Sequence, residues 1–127
     1  IYLCGLTSIP PHPEIHKTAL GAEYSVEWEY SENIIETILS LKSDDYKIIS
    51  IEQTHESIML NDYKVDLKCK YALILGNEVK GVQQIVVDNC DECIEIPQSG
   101  TKHSLNVSVA AGIVLWHFFE KLQSVII

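Results

Sequence analysis

The apolar residues of this chain fall into short runs that alternate with helical patterns from one end to the other. Ile1–Cys4 is an apolar run ended by Gly5 and reads as a buried strand. Pro10, Pro11 and Pro13 then remove backbone donors and fix φ, so Thr7–Pro13 is neither helix nor central strand. Glu14–Leu20 suits a short helix stopped at Gly21, and Val26–Tyr30 alternates Val, Trp and Tyr with Glu as a half-buried strand does. Ser31 reads as an N-cap, followed by Glu32 and a helical face of Ile34, Ile35, Ile38, Leu39 and Leu41. Lys47–Ile51 and Tyr71–Leu75 are two further strands. Gly81–Asp88 suits a short helix, Cys93–Ile96 a strand, and Ser104–Leu122 a long helix. Strands alternating with helices across short turns predict an α/β fold with a mostly parallel sheet flanked by helices.

The last helix is apolar on more than one face, through Leu105, Val107, Val109, Ile113, Val114, Leu115, Trp116, Phe118, Phe119 and Leu122. Such a helix is covered on both sides, and in a chain of 127 residues a second copy is a natural cover, so a homodimer through this helix is expected. The length fits one domain over residues 1–127, with no repeat, low-complexity tract or linker. The chain opens directly on a strand without an initiator Met, and is expected to be a piece of something longer, truncated at its N-terminus.

Candidate chemistry concentrates in two loops. Ala72–Leu75 is an apolar strand that runs into Gly76-Asn-Glu-Val-Lys-Gly81. Gly76 lets the backbone turn tightly and approach a ligand without a Cβ in the way, and Gly81 opens the helix that follows. The loop is neither a Walker A nor a GxGxxG sequence, so taken alone it is better explained as an ordinary strand-to-helix connection, with Glu78 and Lys80 as solvated charges. The second loop is Ile96-Pro-Gln-Ser-Gly-Thr-Lys-His-Ser-Leu-Asn-Val107. Pro97 ends the strand, Gly100 permits a turn, and either Ser104 or Asn106 can cap the next helix. The other is left for a local backbone bond or for orienting a ligand. Two such turns after buried strands suggest one crevice at the carboxyl edge of a parallel sheet.

Other constellations carry less. Cys90-Asp-Glu-Cys93 has CxxC spacing without a second pair, so two core thiols explain it better than zinc or redox chemistry. His12 and His16 are four apart, but Pro13 places His12 in a loop. His103 beside Ser104 lacks the third member of a triad, and Lys102 and His103 are better read as loop residues.

Composition narrows the class. With 46% hydrophobic and 21% charged residues this is the make-up of a soluble globular domain. The most apolar segment, Val107–Phe119, is too short to span a bilayer. No secretory signal is visible, so Cys4, Cys69, Cys90 and Cys93 are expected to be free thiols in the cytoplasm. The net charge of −9, with nine Lys and no Arg, is unfavourable for gripping nucleic acid.

The two loops together resemble the second and third motifs of the SpoU (TrmH) family of RNA ribose methyltransferases. Gly76-Asn-Glu-Val-Lys-Gly81 is similar to that family's Gly-Ser/Asn-Glu-x-x-Gly. Ile96-Pro-Gln-Ser-Gly100 and Ser104-Leu-Asn-Val-Ser-Val-Ala110 resemble its Ile-Pro-Met-x-Gly and Ser-Leu-Asn-Val-Ser-Val-Ala, with Gln98 where Met is usual. Pro10–Ala22 also resembles a subgroup, so the likeness covers most of the chain. The resemblance implies a deep trefoil knot and S-adenosylmethionine held by the knotted loops. It assigns cofactor contacts to Leu75, Gly76, Gly81, Ile96, Gln98 and Leu105, and the polar catalytic positions to Glu78, Ser104 and Asn106. The implied reaction is methyl transfer to a ribose 2′-hydroxyl of tRNA or rRNA, without a metal. The family's first motif, with its Asn and Arg, lies upstream of Ile1, so this chain alone is expected to be a poor catalyst. A non-catalytic knotted module for dimerisation or RNA-partner binding is the alternative that the resemblance leaves open.

Overall fold

A computed structural model of the chain describes residues 1–101 and 104–123. The chain forms two compact units, Ile1–Leu39 and Ser40–Ile127.

In the first unit, β1 (Tyr2–Cys4) pairs in parallel with β2 (Glu29–Ser31), Leu3 opposite Tyr30. Between them run α1 (Pro13–Ala19) and a short 3₁₀ turn over Ala22–Tyr24. Pro13 is therefore the first residue of the helix rather than part of the loop. A proline is suited to that position because its missing N–H would have no helical partner there. His12 caps α1, its Nδ1 accepting the Glu14 N–H at 3.3 Å. Leu20 and Gly21, at φ 52° and 94°, turn the chain out of the helix. β2 starts three residues later than the alternation of Val26–Tyr30 suggests.

α2 (Ile34–Ser43) follows, with its Ser40–Ser43 end belonging to the second unit. Its cap is Asn33, whose Oδ1 accepts the Ile35 N–H at 3.0 Å, and not Ser31. Ser31 still belongs to β2, and its hydroxyl accepts from Thr37 Oγ1 at 2.7 Å. An Asn two residues further on satisfies the exposed helical N–H groups directly, and so displaces the serine.

The second unit is a four-stranded parallel sheet in the order β4-β6-β3-β5. The strands are β3 (Tyr46–Ile51), β4 (Ile58–Met59), β5 (Lys70–Leu75) and β6 (Glu92–Glu95). Central β3 is buried on both faces: Ile48, Ile49 and Ser50 are each 0% exposed. That explains its unbroken apolar run, since a parallel strand flanked on both sides needs no polar face. Ser50 is satisfied within this interior by Cys93 Sγ, 2.7 Å from its hydroxyl. β4, of only two residues, lies in a mixed polar stretch and left no periodic signal in the sequence.

Helix α3 (Gln84–Asp88) connects β5 to β6, and α4 (Val107–Gln123) follows β6. α4 places Val114 and Phe118 into a core shared with Ile49, Leu60, Tyr63 and Ile94. Phe118 sits between two tyrosine rings, Tyr71 at 4.9 Å edge-on and Tyr63 at 5.7 Å between centroids. The Tyr63 hydroxyl donates to Glu92 at 2.7 Å, and burial followed by that carboxylate raises its pKa far above the ordinary phenol value. Lys47 meets the same carboxylate at 3.0 Å.

The other side of α4 is bare in the single chain. Val109, Ile113, Leu115, Trp116 and Phe119 are all exposed, Trp116 to 64%. The expectation of an apolar helix covered on both sides is therefore met on one side by the sheet.

Replacing Phe118 with Ala removes the ring that both tyrosines pack against. We expect a loss of about 3–5 kcal/mol in unfolding free energy, read from denaturant titration followed by far-UV circular dichroism.

Candidate active site

All four strands of the larger sheet run parallel, so their carboxyl ends share one edge. β3 lies between β5 and β6, and Ile51 is level with Leu75 on one side and Ile94 on the other. The chain crosses from one side of β3 to the other between β5 and β6. Open α/β sheets bind ligands outside the carboxyl ends of their strands. With neighbouring strands about 4.8 Å apart, the loops leaving β5 and β6 start about 10 Å from one another.

The loop after β5 is closed by its own backbone. Asn77 and Gly81 form an antiparallel bridge, with Gly81 N–H donating to the Asn77 carbonyl at 2.9 Å. Asn77 Oδ1 accepts the N–H groups of Val79 at 3.0 Å and Lys80 at 2.7 Å. A Cβ on Gly76 would collide with the main chain of Gly81 and Val82. The space above Gly76 is thus taken by the loop's own return, and the two glycines are brought together. Gly81, at φ 64°, is a turn residue within this closure. α3 consequently starts at Gln84 rather than at Gly81. Glu78 is exposed on the crest that Asn77 pins.

Glu52, immediately after β3, completes the arrangement. Its Oε2 accepts the Val82 N–H at 2.9 Å across 30 residues of sequence. Neither Glu52 nor Asn77 was singled out from the sequence. Asn77 lay inside the recognised loop and was legible as an Asx turn, whereas Glu52 had no local signal.

In the second loop, Asn106 is the cap of α4: its Oδ1 accepts the Ser108 N–H at 2.9 Å and the Ser108 hydroxyl at 2.7 Å. The helix starts at Val107, three residues after Ser104, which is exposed and does not serve as the cap. Ile96 and Leu105 are half-buried, and Gln98 is exposed. Among the described residues Glu78, Ser104 and Asn106 share no hydrogen bond with one another. Lys102 and His103 lie outside the described residues.

The remaining candidates take structural roles. Cys90 Sγ donates to the Val86 carbonyl at 3.1 Å, and Cys93 faces Ser50. Burial pushes the Cys90 thiol up to about 11, against a smaller lowering by Ser50. His12 caps α1 through Nδ1, while His16 Nδ1 is engaged with Glu23 Oε1 at 2.6 Å, so the two imidazoles are committed separately. Among the described residues no three His, Cys, Asp or Glu gather in an arrangement that could hold a metal ion. No helix among them is long and apolar enough to cross a membrane.

Residues 1–116 match the model of the SpoU rRNA Methylase family. The chain belongs to that family. It is 33% identical over 109 residues to the 23S rRNA (guanosine-2′-O-)-methyltransferase RlmB of Xylella fastidiosa, covering 86% of this chain and 43% of that protein. It is 36% identical over 88 residues to the tRNA (guanosine(18)-2′-O)-methyltransferase of Aquifex aeolicus, covering 69% of this chain and 41% of that one. The crystal structure of the A. aeolicus TrmH/SpoU tRNA modifying enzyme superposes with a TM-score of 0.81 at 28% identity, over 98% of this chain and 62% of that chain. The chain thus spans less than half the length of these two sequence relatives. The α/β architecture with its parallel sheet matches the structures of the family.

Two outcomes follow from the geometry. Asn106→Ala removes a helix cap and should lower stability by about 1 kcal/mol, while Asn106→Asp, which caps as well, should leave the melting temperature near that of the parent. Cys90 should react with iodoacetamide at neutral pH at least about tenfold more slowly than a free thiol, because so little thiolate is present. Mass spectrometry of timed digests reads that rate, and rapid labelling of Cys90 in the folded chain would contradict its placement.

Proposed function

We propose that this protein is an S-adenosylmethionine-dependent RNA methyltransferase acting on a ribose 2′-hydroxyl of tRNA or rRNA. The observation that carries the reading is the placement of the family's two loops on either side of β3 at one carboxyl edge. The names of the relatives, which act on guanosine in 23S rRNA and in tRNA, support RNA ribose as the substrate class.

The residues present suit the cofactor. Leu75, Ile96 and Leu105 are half-buried apolar side chains, as an adenine ring and a ribose require of their walls. Glu52, Glu78 and Glu95 follow or end three adjoining strands at this edge, and carboxylates favour a cationic sulfonium over a neutral ligand. Bound S-adenosylmethionine supplies an electrophilic methyl group. In this reading the main chain around Gly76, Ile96 and Leu105 holds the adenine and ribose, with Leu75, Gly81 and Gln98 completing the contact surface. Glu78, on its pinned crest, accepts the hydrogen bond of the target hydroxyl and draws on its proton. Ser104 and Asn106 orient the reacting groups, Asn106 through its amide nitrogen while its oxygen caps α4.

The same reading completes the fold as a single methyltransferase domain with a deep trefoil knot, its carboxyl-terminal segment threaded through a loop. It pairs two copies through the bare face of α4, where five large apolar side chains are exposed, and assigns the enzyme to the cytoplasm, in keeping with four free thiols.

Calorimetric titration with S-adenosylhomocysteine tests the proposal. Saturable binding is expected, lost in Gly76→Val and in Leu105→Trp while both variants keep the parent's circular dichroism spectrum. A folded chain that gives no binding heat at millimolar ligand would sink the enzyme reading.

A further inference from the structure

Glu52 is tied in two directions at the centre of the carboxyl edge. Its backbone N–H donates to the Ile94 carbonyl at 3.1 Å, adding one bond to the β3–β6 ladder. Its side chain turns towards the other neighbour. Oε2 accepts the Val82 N–H at 2.9 Å, and Oε1 accepts the Gln53 N–H at 3.0 Å. Val82 is the first residue after the Gly76–Gly81 loop, so the main chain of Glu52 is bound to β6 while its carboxylate is bound to the end of the β5 loop. Gly81 leaves no spare room at this junction, since a methyl group there would be driven into the Glu52 carboxylate.

A carboxylate accepting two N–H groups is at the least a turn stabiliser. What sets Glu52 apart is which turn it stabilises. The loop it clamps carries Gly76 and Glu78, and the strand it extends leads directly towards Ile96. One side chain, 30 residues from Val82 in sequence, thereby couples the two walls of the crevice. We infer that Glu52 is the positioning residue of the cofactor crevice: its carboxylate holds Gly81 and Val82 so that the loop after β5 keeps the shape that binds S-adenosylmethionine and its thioether product. This inference rests on the function proposed above and adds to it a residue outside the family's recognised loops.

The physical consequence is a population effect. Without the carboxylate, Val82 N–H is released to water and the loop samples other shapes. The apparent affinity then falls in proportion to the fraction of chains that retain the binding shape. A drop of that fraction to about one tenth weakens binding about tenfold without touching the core.

The test uses the chain itself with S-adenosylhomocysteine as the probe. Calorimetry on Glu52→Ala should show about a tenfold weaker Kd, and Glu52→Gln, which keeps one acceptor oxygen for Val82, should recover most of the loss. Amide hydrogen exchange should quicken at Gly81 and Val82 while Ile49 and Ile94 keep their protection. Gly81→Ala supplies a second check. Its methyl strikes the carboxylate, so Glu52→Ala/Gly81→Ala should bind better than the product of the single losses predicts. Parent-like affinity in Glu52→Ala overturns the inference, as does a loss of protection spread equally through Ile49 and Ile94, which would mark general destabilisation. Absence of binding by the parent chain would overturn the proposed function, and this inference with it.

Discussion

The parallel pairing of β3 with a strand on each side is the constraint on which the rest of the larger unit depends. Ile51 is level with both Leu75 and Ile94, so the chain leaves the sheet at one height on either side of the central strand. A slip of one residue in either pairing would turn every side chain of that strand to the opposite face. It would exchange the faces on which fully buried side chains such as Ile48 and Ile49 pack, and separate the loop openings by a further residue. The crevice is therefore specified by the same register that fills the core. Apolar burial in β3 sets the edge, and the polar groups of the loops, Asn77 and Glu52 among them, shape what stands on it.

That division explains what could be read from the sequence. β3, β5 and β6 announced themselves as short apolar runs because a parallel strand covered on both faces tolerates no alternation. Their pairing order could not be read, since nothing in Lys47–Ile51 says which strands flank it. The misplaced starts of α3 and α4 have a common cause. Polar residues and glycines before each helix bond locally, Asn77 to Val79 and Lys80, Asn106 to Ser108, and hold the chain in a turn for some residues beyond the point where periodicity would begin the helix. Asn33 repeats the pattern at α2, capping the helix two residues beyond Ser31. Glu52 was invisible for a different reason, because its partner is distant in sequence and carboxylates after strands are ordinary.

The glycines at Gly76 and Gly81 carry a second lesson about motifs. From the sequence, a glycine after a buried strand is read as making room for a ligand. Here the space beside Gly76 is filled by the backbone of Gly81 and Val82, and the space beside Gly81 by the Glu52 carboxylate. Gly76 is required by loop closure, and Gly81 by its left-handed φ of 64° beside the Glu52 carboxylate. The motif thus encodes a shape first, and ligand contact falls to what that shape presents: main-chain atoms, the half-buried Leu75 and the exposed Glu78.

Charge and apolar surface place two demands on whatever surrounds this chain. Among the described residues, Lys42 pairs with Asp91, Lys47 with Glu92 and Lys121 with Glu120, which reduces what is left to meet phosphates on a chain of net charge −9. Long-range attraction for the RNA proposed above is weak on a surface of this charge, while the crevice, rich in carboxylate, suits the cationic cofactor proposed for it. The bare face of α4 makes the second demand. Trp116 and Phe119 lie 5.9 Å apart between centroids and both stay more than half exposed, although the opposite face of the same helix is packed as tightly as the sheet allows. Contiguous aromatic surface of this kind suits the pairing of copies proposed above. In the dimer proposed above, the two faces of α4 link the interior of the chain to its assembly. A shift of the helix that improved one contact would disturb the other, and with it the Asn106 turn at the mouth of the crevice.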